Sequence, residues 1–192
     1  MIVQNLIFSF CLFMLSPKLA TITIIPIGTI SDTTILNFLD SELKRMFKMP
    51  VTIDSAIVVD SSAYNEDRDQ YYSPLIMKQL PMKKPNGIVL GVIDVDLYVE
   101  GLNFIFGQAN LVERKAIISL TRLRQEYYGL KPNRELFQKR ALTEAVHELG
   151  HIFGLNHCSN PKCVMFFSNS LSDTDRKGYR FCKNCRQRIE QN

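Results

Sequence analysis

The feature that most constrains this chain is the placement of its histidines. The sequence contains 3 histidines, and all of them lie between positions 147 and 157. His147 and His151 stand four positions apart with Glu148 beside the first, in the pattern H-E-x-x-H. Residues four apart are neighbours on a helix surface. The pattern therefore predicts a helix that presents two imidazoles to one point.

The flanking sequence predicts where that helix begins and ends. Asn133 is a suitable N-cap, and apolar residues follow it at helical spacing as far as Phe153. Gly154 favours a left-handed conformation that ends the helix and returns His157 as a third ligand. Three neutral nitrogens leave a zinc ion one open position, and Glu148 is placed as a general base for a zinc-bound water. Cobalt and nickel also accept three nitrogens, so the choice of zinc rests partly on metal availability.

A second cluster of metal-competent residues follows the histidines. Four of the 5 cysteines lie near the C-terminus, at Cys158, Cys163, Cys182 and Cys185. The last two form a C-x-x-C pair, and four thiolates would close a tetrahedral structural zinc site. Two disulfides are the alternative interpretation. The basic residues around the last pair either offset the charge of a thiolate site or form a solvated helix face; they are Arg176, Lys177, Arg180, Lys183 and Arg186.

Residues 1–20 form an apolar N-terminal extension that is open to several interpretations. The apolar run over residues 6–15 is too short to span a bilayer, so no stable membrane span is expected. Its length suits a signal-peptide core or an anchor, but no basic segment precedes it, because the first lysine is Lys18. Alternatively, Met14 is the true start of the protein. We favour a cytoplasmic location.

The remaining residues, 21–192, predict a single domain of the α/β (α+β) class. A chain of 192 residues suits one domain, and the continuous apolar run over residues 88–93 predicts a strand buried on both faces. Further strands are predicted at residues 21–25 and 51–59, followed by a polar loop (60–70) and a short helix (71–80). Residues 102–106 and 116–120 predict a hairpin, and a last helix after Ser172 is expected to carry the C-x-x-C pair.

The motifs together resemble a known family. H-E-x-x-H-x-x-G-x-x-H is the metzincin signature, and here Cys158, Cys163, Met165 and the Cys182-x-x-Cys185 pair follow it. That combination resembles the archaemetzincin family, in the metzincin clan of zinc metallopeptidases, over about residues 21–190. The resemblance implies a compact zincin domain with a mixed, twisted sheet, a long active-site helix and a C-terminal helix.

The resemblance also implies roles for individual residues. His147, His151 and His157 would bind a catalytic zinc and Glu148 would be the base. Met165 would lie in the Met-turn beneath the metal, and the four cysteines would bind a structural zinc, which makes two zinc ions per chain. Metzincin clefts use an edge strand that pairs with the substrate, and residues 102–107, with Asn103, Phe104 and Phe106, are the candidate; an ordinary hairpin strand is the alternative.

These observations predict a zinc metallopeptidase that acts on peptides or proteins, without deciding between endo- and exo-cleavage. The alternative is a non-catalytic zinc module that binds nucleic acid or protein. A formal net charge of +4 is too small to indicate nucleic acid by itself, and a binding module has no use for Glu148. We therefore expect no nucleic-acid partner, and we favour a monomer.

Overall fold

A computed structural model describes residues 20–81 and 87–191 of the chain. The hypotheses about a signal, an anchor or an internal start concern residues that lie almost wholly outside this range. Within the described ranges, no helix combines the length and the apolar character needed to cross a membrane.

The described chain contains eight strands and five α-helices. The strands are β1 (Ile22–Ile27), β2 (Val51–Ile53), β3 (Tyr64–Asn65), β4 (Gln70–Tyr72), β5 (Ile88–Ile93), β6 (Leu97–Tyr98), β7 (Gly107–Asn110) and β8 (Lys115–Ser119). The helices are α1 (Thr34–Phe47), α2 (Ser73–Gln79), α3 (Arg134–Ile152), α4 (Leu171–Lys177) and α5 (Lys183–Gln191).

The main sheet is mixed, with strand order β2-β1-β5-β8-β7. Its first four strands are parallel, and β7 pairs antiparallel with β8 at the edge. A smaller sheet of order β3-β4-β6 lies beside it. The predicted α/β class with a mixed sheet is confirmed.

The central strands are largely apolar and are buried along their whole length, because the sheet is covered on both faces. Ile22 and Ile24 of β1 lie in the core under α1 and α3, whereas Ile25 and Ile27 lie in a second core on the side of α2. The other central strands divide their side chains in the same way. This burial explains the continuous apolar run of β5, whose six residues are all buried.

Several predicted elements have other boundaries. The strand predicted over 51–59 ends at Ile53, since the chain leaves the sheet and returns only at Ile57, which bridges to Ile27. The predicted loop over 60–70 contains the β3–β4 hairpin, in which the rings of Tyr64 and Tyr71 pack 5.0 Å apart. The helix predicted from residue 71 begins at Ser73, because the preceding two tyrosines belong to β4.

The predicted hairpin is shifted along the chain. Residues 102–106 are not a strand: Ile105 makes one bridge to Leu97, and the antiparallel partner of β8 is β7. The carbonyls of Leu102 and Asn103 instead accept hydrogen bonds from the side chain of Arg68. The predicted last helix is in fact α4 and α5, separated at Gly178, which has φ of +60°.

Candidate functional site

Helix α3 carries the H-E-x-x-H motif near its C-terminal end. The side chain of Asn133 accepts a hydrogen bond from the N–H of Leu136 at 3.0 Å, so the predicted N-cap is confirmed. Gly154, with φ of +81°, follows the helix and turns the chain back. This turn brings His157 to the two helical histidines, with ring centroids 4.9 Å from His151 and 5.4 Å from His147.

Backbone carbonyls orient the two helical imidazoles. His147 Nδ1 lies 2.7 Å from the carbonyl oxygen of Val164, and His151 Nδ1 lies 2.7 Å from that of Leu155. A carbonyl oxygen only accepts hydrogen bonds, so each Nδ1 carries the proton and each Nε2 presents a lone pair. The two Nε2 atoms are 3.3 Å apart, and one ligand nitrogen from each of the three histidines lies within 4.8 Å of the other two.

The surroundings of the histidines favour the neutral form of each ring. Burial lowers the pKa of His147 to about 2, and the positive charge of Lys177 acts in the same direction. Burial also lowers the pKa of His151 and of His157. Neutral imidazoles are the form that binds metal ions.

The geometry fits a tetrahedral zinc ion. Zn–N bonds of about 2.0–2.1 Å place two ligand nitrogens about 3.3 Å apart, which is the separation of the Nε2 atoms of His147 and His151. Two lone pairs that face each other at this distance repel unless a cation lies between them. The three histidines could therefore hold a zinc ion.

Glu148 lies beside the histidines and is 5% exposed. It packs against β7: a Cβ placed at Gly107 would lie 2.7 Å from both Cγ and Oε1 of Glu148. Only a glycine at this strand position leaves room for the carboxyl group. Burial, followed by the charge of Glu144, raises the pKa of Glu148 well above its ordinary value, while Lys177 opposes the shift.

Met165 lies directly beneath α3 and is fully buried. A Cβ at Gly150, inside the H-E-x-x-H motif, would overlap the sulfur of Met165. The carbonyl of Met165 accepts a hydrogen bond from the N–H of Cys158 at 2.8 Å. The methionine therefore joins the underside of the helix to the segment that follows His157.

The four C-terminal cysteines also come together. Their sulfurs lie within 4.8 Å of one another, and none of the four forms a disulfide. Cys158 Sγ and Cys182 Sγ are 3.9 Å apart, close to the S–S separation of about 3.8 Å that Zn–S bonds of about 2.3 Å give in a tetrahedron. A hydrogen bond from the backbone N–H of Cys185 is the main reason that the pKa of Cys182 is lowered to about 7. The cluster could hold a second metal ion.

Val164 connects the two clusters. Its carbonyl accepts the hydrogen bond from His147, and its N–H donates to the carbonyl of Arg180 at 2.9 Å. The N–H of Cys182 in turn donates to the sulfur of Cys163 at 3.3 Å. A single residue between Cys163 and Met165 is therefore bonded to both the histidine and the cysteine segments.

Two concave regions adjoin the histidines. An open cleft of about 430 Å³ runs along β7 and contacts all three histidines and Glu148. A smaller cavity of about 220 Å³ lies on the other side of Glu148, and Asn103, Phe104 and Phe106 line it. The three residues proposed from the sequence thus lie at this cavity, before the edge strand rather than on it.

Two buried residues of the site, Lys177 and Glu144, were not expected from the sequence. In sequence, Lys177 stands among the basic residues around the cysteines, but its side chain is fully buried, with Nζ 3.3 Å from Glu144 Oε1. The same Nζ lies 3.3 Å from His147 Nδ1. Glu144 precedes His147 by one helical turn, which places a second carboxylate on the face of α3 that carries the motif. This spacing was the available signal.

Comparison with known proteins places this site in a family. The sequence model of peptidase family M54 matches residues 43–191. The chain belongs to peptidase family M54. It is 47% identical to the archaemetzincin of Methanocaldococcus jannaschii over 169 residues, which cover 88% of this chain and 92% of that protein. Identity to the archaemetzincin of Pyrococcus furiosus is 44% over 178 residues, with the same coverage of 88% and 92%.

Solved structures agree with this assignment. The archaemetzincin of Archaeoglobus fulgidus, crystallised with malonate, matches the fold with a TM-score of 0.77 at 39% identity, over 88% of this chain and 99% of that one. The archaemetzincin of Methanopyrus kandleri matches with a TM-score of 0.79 at 34% identity, over 92% and 98%. This member of M54 is a zinc metallopeptidase, a hydrolase that acts on peptide bonds.

Proposed function

We propose that this M54 peptidase hydrolyses peptide bonds at the histidine cluster, with Glu148 as the general base, and that the cysteines hold a second, structural zinc. The observation that carries the proposal is the convergence of two deprotonated Nε2 atoms, 3.3 Å apart, beside the carboxyl group of Glu148. An open cleft gives a peptide access to this point.

The two clusters would hold different metal ions. His147, His151 and His157 offer three neutral nitrogens, which leave one position of a tetrahedral ion for other ligands. When bound there, zinc supplies a Lewis acid that polarises a carbonyl and acidifies water. The four sulfurs of the cysteine cluster fill every tetrahedral position, so that site would be structural.

Glu148 moves the proton. Its carboxylate takes one proton from the attacking water as the new C–O bond forms at the substrate carbonyl. The C–N bond then breaks, and the same carboxyl group delivers the proton to the departing amine. Burial raises the pKa of Glu148, which makes its carboxylate a stronger base, and the close contact with Gly107 restricts where the carboxyl group can lie.

The substrate would lie along β7. This strand is at the edge of the main sheet, and an extended peptide can pair with such an edge through main-chain hydrogen bonds. Asn103, Phe104 and Phe106 would contact a substrate side chain in the adjoining cavity. Residues 21–192 would act as one domain, and the substrates would be peptides or proteins.

The test is digestion of a proteome-derived peptide library, read by mass spectrometry, with protein of verified zinc content. Glu148→Gln keeps the shape of the side chain and removes the base, so we expect cleavage to fall by about 10²–10⁴-fold while zinc content is unchanged. Glu135→Gln, the same change at an exposed position on the same helix, is the control. Equal cleavage by wild type and Glu148→Gln would reject the role of Glu148.

A further inference from the structure

The cavity beside Glu148 has a charged floor. Its volume is about 220 Å³, and Glu144 and Lys177 line it together with His147 and Glu148. The side chains of Glu144 and Lys177 are 3% and 0% exposed. The proposed reaction uses neither of them, although burial of an ion pair costs free energy.

The hydrogen bonds of the floor leave one group unused. Oε1 of Glu144 accepts from Thr174 Oγ1 at 2.8 Å and lies 3.3 Å from Lys177 Nζ. Lys177 Nζ also donates to the carbonyl of Phe166 at 3.3 Å. Within residues 20–81 and 87–191, no hydrogen bond engages Oε2 of Glu144. A carboxylate accepts hydrogen bonds at both oxygens. Because Lys177 Nζ and Thr174 Oγ1 both lie at Oε1, Oε2 is the acceptor that the floor leaves for a donor of the substrate.

Aromatic rings form part of the cavity walls, beside the polar side chains of Asn103, Ser168 and Asn169. Phe104 lines one side, with its ring held edge-on to Phe106 at 5.1 Å and under the guanidinium of Arg122 at 4.2 Å. Phe167 lines the other side. Arg122 is itself fixed by two hydrogen bonds of 2.7 Å to Asp96. The walls therefore suit the aliphatic or planar part of a side chain that reaches the floor.

We propose that this cavity binds the side chain of the substrate residue next to the scissile bond and selects side chains that end in hydrogen-bond donors. Glu144 is the specificity-determining residue. This inference rests on the proposed function, because it assumes that the bond is cleaved beside Glu148. Glutamine matches the floor: its amide N–H donates to Glu144. Glutamate places a carboxylate against a carboxylate, and methionine covers the acceptor without bonding to it.

Three peptide substrates test the selection without any change to the protein. The three peptides differ at one residue, which is glutamine, glutamate or methionine; these side chains are similar in length. The variable residue is placed first on one side of the scissile bond and, in a second set, on the other side. Hydrogen bonds to charged groups are worth about 1.5–3 kcal/mol, so at one of the two positions we expect kcat/KM for glutamine to exceed the others by about 10–100-fold. Equal values at both positions would overturn the proposal.

A variant tests the residue. Glu144→Gln retains a partner for Thr174 and gives the floor its own donor, so the ratio of glutamine to glutamate should fall to below about threefold. The ratio is the measured quantity, because the charge of Glu144 also acts on Glu148. Glu135→Gln is the matched control and should keep the wild-type ratio. An unchanged ratio in Glu144→Gln would reject the assignment to Glu144.

Two further measurements separate the possible failures. If Glu144→Gln does not fold with Lys177 unpaired, the double variant Glu144→Gln/Lys177→Met removes the charge as well and should show the same low ratio. Calorimetric binding of the three peptides to the zinc-loaded Glu148→Gln protein reports selection without turnover. A glutamine preference in binding without any cleavage by wild type would reject the proposed function alone, whereas cleavage without preference would reject the selection alone.

Discussion

The histidine and cysteine clusters differ in what surrounds them. The histidines are held from behind, where two carbonyls bind Nδ1 atoms, while His157 is exposed and the open cleft reaches all three rings. In the cysteine cluster, Cys163 and Cys185 are part of the hydrophobic core. The first cluster offers three ligand atoms and access; the second offers four and little access.

The difference indicates how one short segment, which contains His157 and Cys158, can contribute both to a reactive site and to the stability of the fold. A three-ligand site with access has a position for a reacting group, while a four-ligand buried site has none. Adjacent residues, His157 and Cys158, belong to the two clusters. The cysteine site therefore fixes the chain that presents the third histidine, and Val164 extends this support to His147.

Removing ligands from the cysteine cluster should mainly lower stability, whereas removing ligands from the histidine cluster should mainly abolish hydrolysis. Cys182→Ser/Cys185→Ser should lower the free energy of unfolding by several kcal/mol, with an upper bound of about 10–16 kcal/mol from zinc-finger peptides. His147→Ala/His151→Ala should abolish hydrolysis and cost only about 2 kcal/mol of stability. Chemical denaturation and peptide cleavage measure the two effects. Greater stability loss in the histidine variant would contradict the division of roles.

Cys158→Ser should weaken zinc binding at the histidines although it removes none of their ligands. Partners that support metal ligands commonly contribute about 10–100-fold in affinity, and the N–H of Cys158 bonds to the carbonyl of Met165. Competition with a chromophoric chelator measures the affinity. Unchanged affinity in Cys158→Ser would show that the two sites are independent.

Gly150→Ala should have a smaller effect. The added Cβ would overlap the sulfur of Met165, and overpacking of this kind costs about 1–3 kcal/mol. The double variant Gly150→Ala/Met165→Ala should lose less stability than the sum of the two single variants, because the two positions are in contact. Thermal unfolding of the single and double variants measures the coupling. Strict additivity would mean that the sulfur does not restrict this glycine.

Strong local patterns made parts of the molecule predictable from sequence. Strand β5 is predictable from its continuous apolar run, and the structure buries all six of its residues. Helix α3 is predictable because Asn133, the apolar spacing and Gly154 all agree. The convergence of the three histidines was predictable because one helix and one turn set their spacing. The family assignment was confirmed by the comparisons.

Other parts depend on contacts between distant residues. The alternation of Leu102, Phe104 and Phe106 is typical of a strand, but Arg68 and Gln70 satisfy this backbone from another sheet. The true strand β7 has the sequence GQAN, and its glycine is there to make room for Glu148. Likewise, nothing local distinguishes the buried Lys177 from its exposed neighbours, because its partner Glu144 lies on another helix.

The most direct test of the account is selective removal of zinc. Protein with two zinc ions is treated with a chelator until one ion remains. Cleavage and thermal unfolding are then measured, and X-ray absorption identifies the ligands of the remaining zinc. We expect that sulfur atoms bind the remaining zinc, that the fold is retained, that hydrolysis is lost, and that hydrolysis recovers when zinc is returned. Retained hydrolysis with zinc on sulfur alone, or early loss of the sulfur-bound zinc, would contradict the account.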